Sequence, residues 1–264
     1  MAPRAPRSGA PLAAFVLHRY DWSESSLILD VFTREQGRLA VAAKGAKRPY
    51  SQLRAVLLQF QRISLTLGRA GGAEGAAEVQ TLRTAEWGGG AAMLTGAALF
   101  SGFYLNELLM KLLARHDAHP DLFDAYAETL AALPGSDDMR VEAVLRAFEL
   151  RLLREIGLLP DLSLSTQTQQ PVDADGRYGL RADTGVGDVG DDGASGSLRG
   201  ATLVALQAAL EHGSLPALQQ ICAAALPELK GLLRAQLHYH LGSSVLRTRQ
   251  VMIEAQNLDP RVRT

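Results

Sequence analysis

The chain has 264 residues, 47% of them hydrophobic and 21% charged, a globular balance long enough to bury two modest cores. Its one cysteine, Cys222, permits no intramolecular disulfide, and no apolar run reaches the roughly 18 residues that cross a bilayer, since Asn106, Glu107 and Lys111 interrupt the stretch around Leu105 to Leu113. A disulfide scaffold and a helical membrane protein are therefore excluded, and a cytoplasmic setting is expected. The net charge of -1 hides an asymmetry: residues 1–90 carry 12 Lys and Arg against 7 Asp and Glu, whereas residues 91–163 carry 6 against 11. A basic first part followed by an acidic second part points to different partners for each, a polyanion for the first.

In chain order, Arg4 and Arg7 precede an apolar stretch split by Pro11, a poor match to a secretory leader. Five strands are expected within 1–86: Ala13 to Arg19, Ser26 to Thr33, Arg38 to Lys44, Val56 to Leu67 and Glu74 to Thr84. In the second, Leu27, Leu29 and Val31 alternate with Ile28, Asp30 and Phe32, which predicts a small barrel with an apolar inside and a mixed outer binding surface. Gly37 closes a hairpin in a positive-φ conformation. Gly68 to Gly72 lack the Gly-Lys-Ser/Thr ending of a phosphate loop and read as a hairpin tip.

Gly88-Gly89-Gly90 marks a domain boundary, and the period then changes from 2 to 3.6. Met93, Ala97, Phe100, Tyr104, Leu108 and Leu112 predict a helix central to a bundle over residues 91–264. A second helix starts at Pro120. A third, capped by Ser136 or Asp137, carries Val141, Val144, Phe148, Leu152 and Ile156 and stops at Gly157 with Pro160 beyond. Residues 164–200 are polar and glycine-rich, and a flexible insertion is expected there. Helices resume over Thr202 to His212, Pro216 to Ala225 and Glu228 to Leu241, with a last one over Ser243 to Ala255. The fold class is thus α+β and multidomain: a five-stranded barrel, then an all-α bundle.

The most informative stretch runs from Ala43 to Arg54, where Lys44, Lys47, Arg48, Arg54, Gly45, Pro49 and Tyr50 are compressed between two strands. Cations neutralise phosphates, backbone near a glycine approaches a strand closely, and a tyrosine stacks on an unpaired base. A solvated loop is the alternative, and clustering beside a barrel favours the phosphate-gripping reading. Arg34 and Arg38 flank the preceding hairpin and would extend the track, with Arg234, Arg247 and Arg249 forming a second cationic group toward the C-terminus.

Thr33-x-x-x-Gly37, Ala43-Lys44-Gly45-Ala46-Lys47-Arg48 and Ser51-x-Leu53-Arg54 resemble the N-terminal signature of the RecO family of recombination mediators. Tyr104 to Leu108, Phe148 to Leu153 with Gly157 and Pro160, and His240 to Gly242 with Leu246 to Arg249 resemble later family segments in the same order. The resemblance implies an OB-fold and a helical domain, non-enzymatic binding of single- and double-stranded DNA, annealing of complementary strands, and loading of RecA onto coated DNA. It also implies RecR and the C-terminal tail of the single-stranded-DNA-binding protein as partners, and a place at the nucleoid. That tail would meet Arg151 and Arg154, which could instead pair with Glu155 and its neighbours. Many members carry a four-cysteine zinc module after the Gly-x-x-Pro segment. Here Ser165 and Thr168 fall near the first pair, so no zinc and no other cofactor is expected.

Other chemistry is thin. His116 and His119 are interrupted by Pro120, and His238 and His240 face different ways on a helix, as structural or DNA-facing residues. Asp173-Ala174-Asp175-Gly176 lacks the later glutamate of a calcium loop. Cys222 lies among apolar residues without a base, and Glu107 reads as a structural carboxylate. The competing functions are a non-catalytic adaptor whose barrel binds protein rather than DNA, and a metal-dependent nuclease, for which no compact acidic cluster is found.

Overall fold

A computed structural model describes residues 9–68, 79–90, 93–189, 196–242, 246–248 and 250–251. Contacts divide the chain into two compact units, residues 1–131 and 132–264. In the first, β1 (Leu12–Asp21), β2 (Leu27–Thr33), β3 (Gly37–Ala43), β4 (Arg62–Leu67) and β5 (Val79–Trp87) form a closed barrel in the order β1-β2-β3-β5-β4. All neighbours are antiparallel except β3 and β5, which run parallel where Ala40 faces Val79. Alternation puts Leu12, Ala14, Val16, Leu29, Val31, Leu39, Val41, Ile63 and Leu65 inside, and this is the barrel's core. The five-stranded barrel expected from the strand patterns is present.

Two boundaries differ from the sequence reading. The expected strand from Val56 begins only at Arg62, because Leu53, Val56 and Leu57 recur at helical spacing. They form the short helix α1 (Leu53–Val56) and its exit, packed against the barrel core. Phe60, at φ 67°, reverses the chain before β4. The fifth strand runs Val79–Trp87 rather than from Glu74, and residues 69–78, including most of the proposed hairpin tip, lie outside the described residues.

The mixed outer face of β2 is not an open binding surface. The helices α2 (Gly96–Leu112) and α3 (Pro120–Ala132) belong with the barrel in the first unit rather than to the centre of a separate bundle. Phe15 and Phe32 pack against Phe123 and Tyr126 of α3, with ring centroids 5.0 to 6.4 Å apart. Tyr126 donates its hydroxyl to Asn106, which in turn donates to the Leu17 carbonyl at 2.8 Å, so this buried polar pair is bonded rather than left bare. Beside it Asp30 pairs with Arg38 at 3.0 Å and with Arg115 at 3.1 Å. The β2–β3 turn fits against residue 117: Gly37 has φ 68°, and a Cβ there would overlap the Asp117 carbonyl oxygen.

The second unit contains α4 (Asp138–Glu155), α5 (Gly200–Glu211), α6 (Leu215–Ala224) and α7 (Leu226–Leu241). Asp137 caps α4 by accepting from the Arg140 amide at 2.8 Å, and Gly157 follows its end at φ 74°, as the sequence predicts. Val144, Phe148 and Leu152 of α4, Leu218 and Cys222 of α6, and Leu229 and Leu233 of α7 are buried. The expected last helix is described only at 246–248 and 250–251, where residues 247, 248, 250 and 251 are helical.

The described part of 164–200 is ordered, which corrects the expectation of a flexible insertion. β6 (Arg177–Arg181) pairs with β7 (Gly185–Asp188) and β8 (Leu198–Arg199) in an antiparallel sheet. Its few apolar residues sit where they count, with Val172, Leu180, Val186 and Leu198 buried. The abundant hydroxyls act as backbone ligands: the Thr166 amide donates to the Val186 carbonyl at 2.8 Å, and the Val186 amide returns to Thr166 Oγ1 at 2.8 Å. Residues 190–195 lie outside the described residues.

Candidate nucleic-acid interface

At one end of the barrel the β3–β4 connection begins with Lys44 and is fastened at few points. Ala46 is buried, the Lys47 amide donates to the Ser25 carbonyl at 3.0 Å, and the Gly45 amide to Ser26 Oγ at 3.3 Å. Gly45 takes φ 71°, and the Arg48 guanidine group lies over it. Successive turns follow, from the Arg48 amide to the Gly45 carbonyl and from the Ser51 amide to the Arg48 carbonyl. A loop pinned this way holds its backbone while its longer side chains project into solvent.

Lys44, Arg48, Tyr50 and Arg54 are all exposed, Tyr50 at 99%. Lys47 is half-buried and pairs with Asp21 at 3.0 Å, so its charge is already met. Arg34 and Arg38 do not join this group. Arg34 forms a two-pronged bond to Asp124 of α3, at 2.9 to 3.2 Å. Arg38, 13% exposed at its side chain, pairs with Asp30 and donates to the Met110 and Leu113 carbonyls at the end of α2. Its geometry is that of a residue tying helix to barrel.

Two residues beside the loop escaped the sequence reading. Tyr20, near the end of β1, and Trp22, in the turn that follows it, are exposed at 48% and 56%. Two large rings in the polar run Tyr20-Asp21-Trp22-Ser23-Glu24-Ser25 were the available signal.

In the second unit Arg234 is exposed on α7 and Arg247 is exposed, while Arg249 lies outside the described residues. Arg151 is half-buried and donates to the Leu210 carbonyl at 3.3 Å; Arg154 is half-buried in the last turn of α4. Glu107 pairs with Lys111 one turn on at 3.4 Å. Burial, with Glu149 nearby, pushes the Cys222 thiol up to about 12, so the group is a packed thiol and not a nucleophile. The segment that would carry a zinc module presents Ser165, Thr166 and Thr168, and the one cysteine is buried in α6, a donor set that does not fit a tetrathiolate ion. Among the described residues no cluster of three or more His, Cys, Asp or Glu is placed to hold a metal, and no helix is long and apolar enough to cross a membrane.

Family models for the recombination protein O N terminal and C terminal match residues 12–87 and 93–250. The chain belongs to the RecO family. It is 52% identical to the DNA repair protein RecO of Polaromonas naphthalenivorans, covering 93% of this chain and 96% of that one. It is 48% identical to the same-named protein of Acidovorax ebreus over 96% and 100%, and 49% identical to that of Delftia acidovorans over 93% and 96%. The family is one of DNA repair proteins, and the N-terminal match spans the closed barrel with its exposed basic loop.

Proposed function

We propose that this protein is a non-enzymatic recombination mediator. It binds single- and double-stranded DNA through the barrel end that carries Lys44, Arg48, Tyr50 and Arg54, anneals complementary strands, and with RecR loads RecA onto DNA covered by the single-stranded-DNA-binding protein. The observation that carries the reading is the clustering of exposed cations: Lys44, Arg48 and Arg54 stand exposed on one pinned loop, whereas Arg34, Arg38 and Arg115 are paired with carboxylates. Exposed cations held on a rigid support suit a polyanion, because each neutralised phosphate releases counterions and little side-chain burial is forfeited. Anisotropy titrations of the full chain with labelled single strands and duplexes over a salt series test this. Affinity falling steeply with salt on both forms is expected, and absence of binding at low salt overturns the reading in favour of a protein adaptor.

The second unit is assigned to protein partners in this reading. An acidic, apolar tail such as that of the single-stranded-DNA-binding protein needs cations at the rim of a groove, and Arg151 and Arg154 supply them. Calorimetry with the isolated tail peptide should show binding that weakens on Arg154→Ala; undetectable binding at low salt removes this part. The site of action is then the cytoplasmic nucleoid.

A further inference from the structure

We propose that Tyr20 and Trp22 form a stacking element that makes the basic loop select unpaired bases over duplex. The inference rests on the reading that the 44–54 loop binds DNA. It extends that reading to two residues outside the loop, one at the end of β1 and one in the turn after it.

Neither ring is needed by the fold. Both lie outside the barrel's apolar core, at 48% and 56% exposure, whereas Phe15 of β1 and Phe32 of β2 are buried. Tyr20 is nonetheless oriented, its ring edge-on to His18 with centroids 4.4 Å apart. Trp22 sits on a tight turn closed by its own amide and that of Ser23, both donating to the Ser26 carbonyl at 3.3 Å. The turn is bound to the basic loop three times, through the Lys47 amide to Ser25, the Gly45 amide to Ser26, and Lys47 Nζ to Asp21 at 3.0 Å. The turn that carries Trp22 is thereby held against the loop that carries Lys44 and Arg48.

Phosphates look alike to a cation whether the strand is paired or not, so the loop's cations alone discriminate little, and Tyr50 is the one ring the loop itself offers. Base faces differ. In a duplex each is covered by its neighbours, and in a single strand they are open to an aromatic side chain. A cationic loop flanked by held aromatic rings therefore contributes extra affinity to single strands only. Trp22, the larger ring, is expected to contribute most.

The test uses the full chain carrying Trp87→Phe, which leaves Trp22 as the single indole of the two in the sequence. Trp22 emission should be quenched by a mixed-sequence single strand and much less by the duplex of equal length. Trp22→Ala should weaken single-strand binding about five- to hundred-fold, the range of one base–ring stack, with duplex affinity and both salt slopes unchanged. Trp22→Phe should restore most of the loss. Matched thermal melts check that the fold is intact. Equal weakening on both forms, or no weakening on either, overturns the proposal; the second result would leave the aromatic turn to a protein partner. The parent reading fails separately, when Lys44→Ala, Arg48→Ala and Arg54→Ala together leave affinity for both forms unaltered.

Discussion

Replacing Lys44, Arg48 and Arg54 together with alanine removes the exposed cations of the barrel-end loop and leaves its pins, Ala46 and the Lys47 and Gly45 amides, in place. A phosphate contact contributes about 0.7 to the slope of log affinity against log salt on single strands and about 0.9 on duplex, so three contacts lower its magnitude by about 2 and about 2.7. Counting all four basic residues of the loop would give about 2.8 on single strands. The structure argues for the smaller figure, because Lys47 is already neutralised by Asp21 at 3.0 Å. Lys47→Ala alone should accordingly change the slope by well under about 0.7. Stability should move by no more than about 0.5 kcal/mol per site, since these side chains are exposed and make no buried contact. Anisotropy titrations at several salt concentrations, with circular dichroism to monitor folding, give both quantities. An unchanged slope in the triple variant would refute the reasoning and move the DNA track to Arg234, Arg247 and Arg249.

Gly37→Ala should destabilise the first unit by about 2 kcal/mol or more, combining a left-handed conformation with overlap on the Asp117 carbonyl, and thermal denaturation measures it; a loss below about 0.5 kcal/mol would show that the turn yields. Asp30 is raised above its ordinary 3.8 because burial outweighs Arg38 and Arg115. The native state then holds the proton more tightly than the unfolded chain, so stability falls as pH rises from 3.8 through the raised value. The Tm of the wild type minus that of Asp30→Asn should decline across that window and flatten above it; a difference that grows with pH contradicts the sign. Cys222, buried with its thiol pushed up to about 12, should react with a thiol reagent at pH near 8 only after denaturation.

The barrel was legible because its core strands alternate cleanly, and the helices of the second unit because Asp137, Gly157, Pro216 and Pro227 mark their ends. What covers the barrel was not. Ile28, Asp30 and Phe32 look like any half-polar strand face, and only the distant partners Phe123 and Tyr126 of Phe32 and Arg115 of Asp30 show that it is docked against helices. The same limit applied to Arg38: an arginine next to a basic loop and an arginine holding two helix-end carbonyls are identical in sequence. Residues 164–200 misled for another reason. Composition there is that of a chain too polar to fold, but Thr166 spends its hydroxyl on the Val186 amide, and Leu180, Val186 and Leu198 suffice for a small sheet beside α7. Tyr20 and Trp22 were visible as residues and invisible as a site, because exposure is decided by which side chains the fold leaves uncovered.

The most direct measurement of the central claim is the rate at which complementary strands, each covered by single-stranded-DNA-binding protein, anneal in the presence of this protein and of its Lys44→Ala, Arg48→Ala, Arg54→Ala variant. The account predicts acceleration by the wild type, largely lost in the variant although its melt is unchanged; a wild type that leaves annealing at the spontaneous rate, or a variant as fast as the wild type, would contradict it.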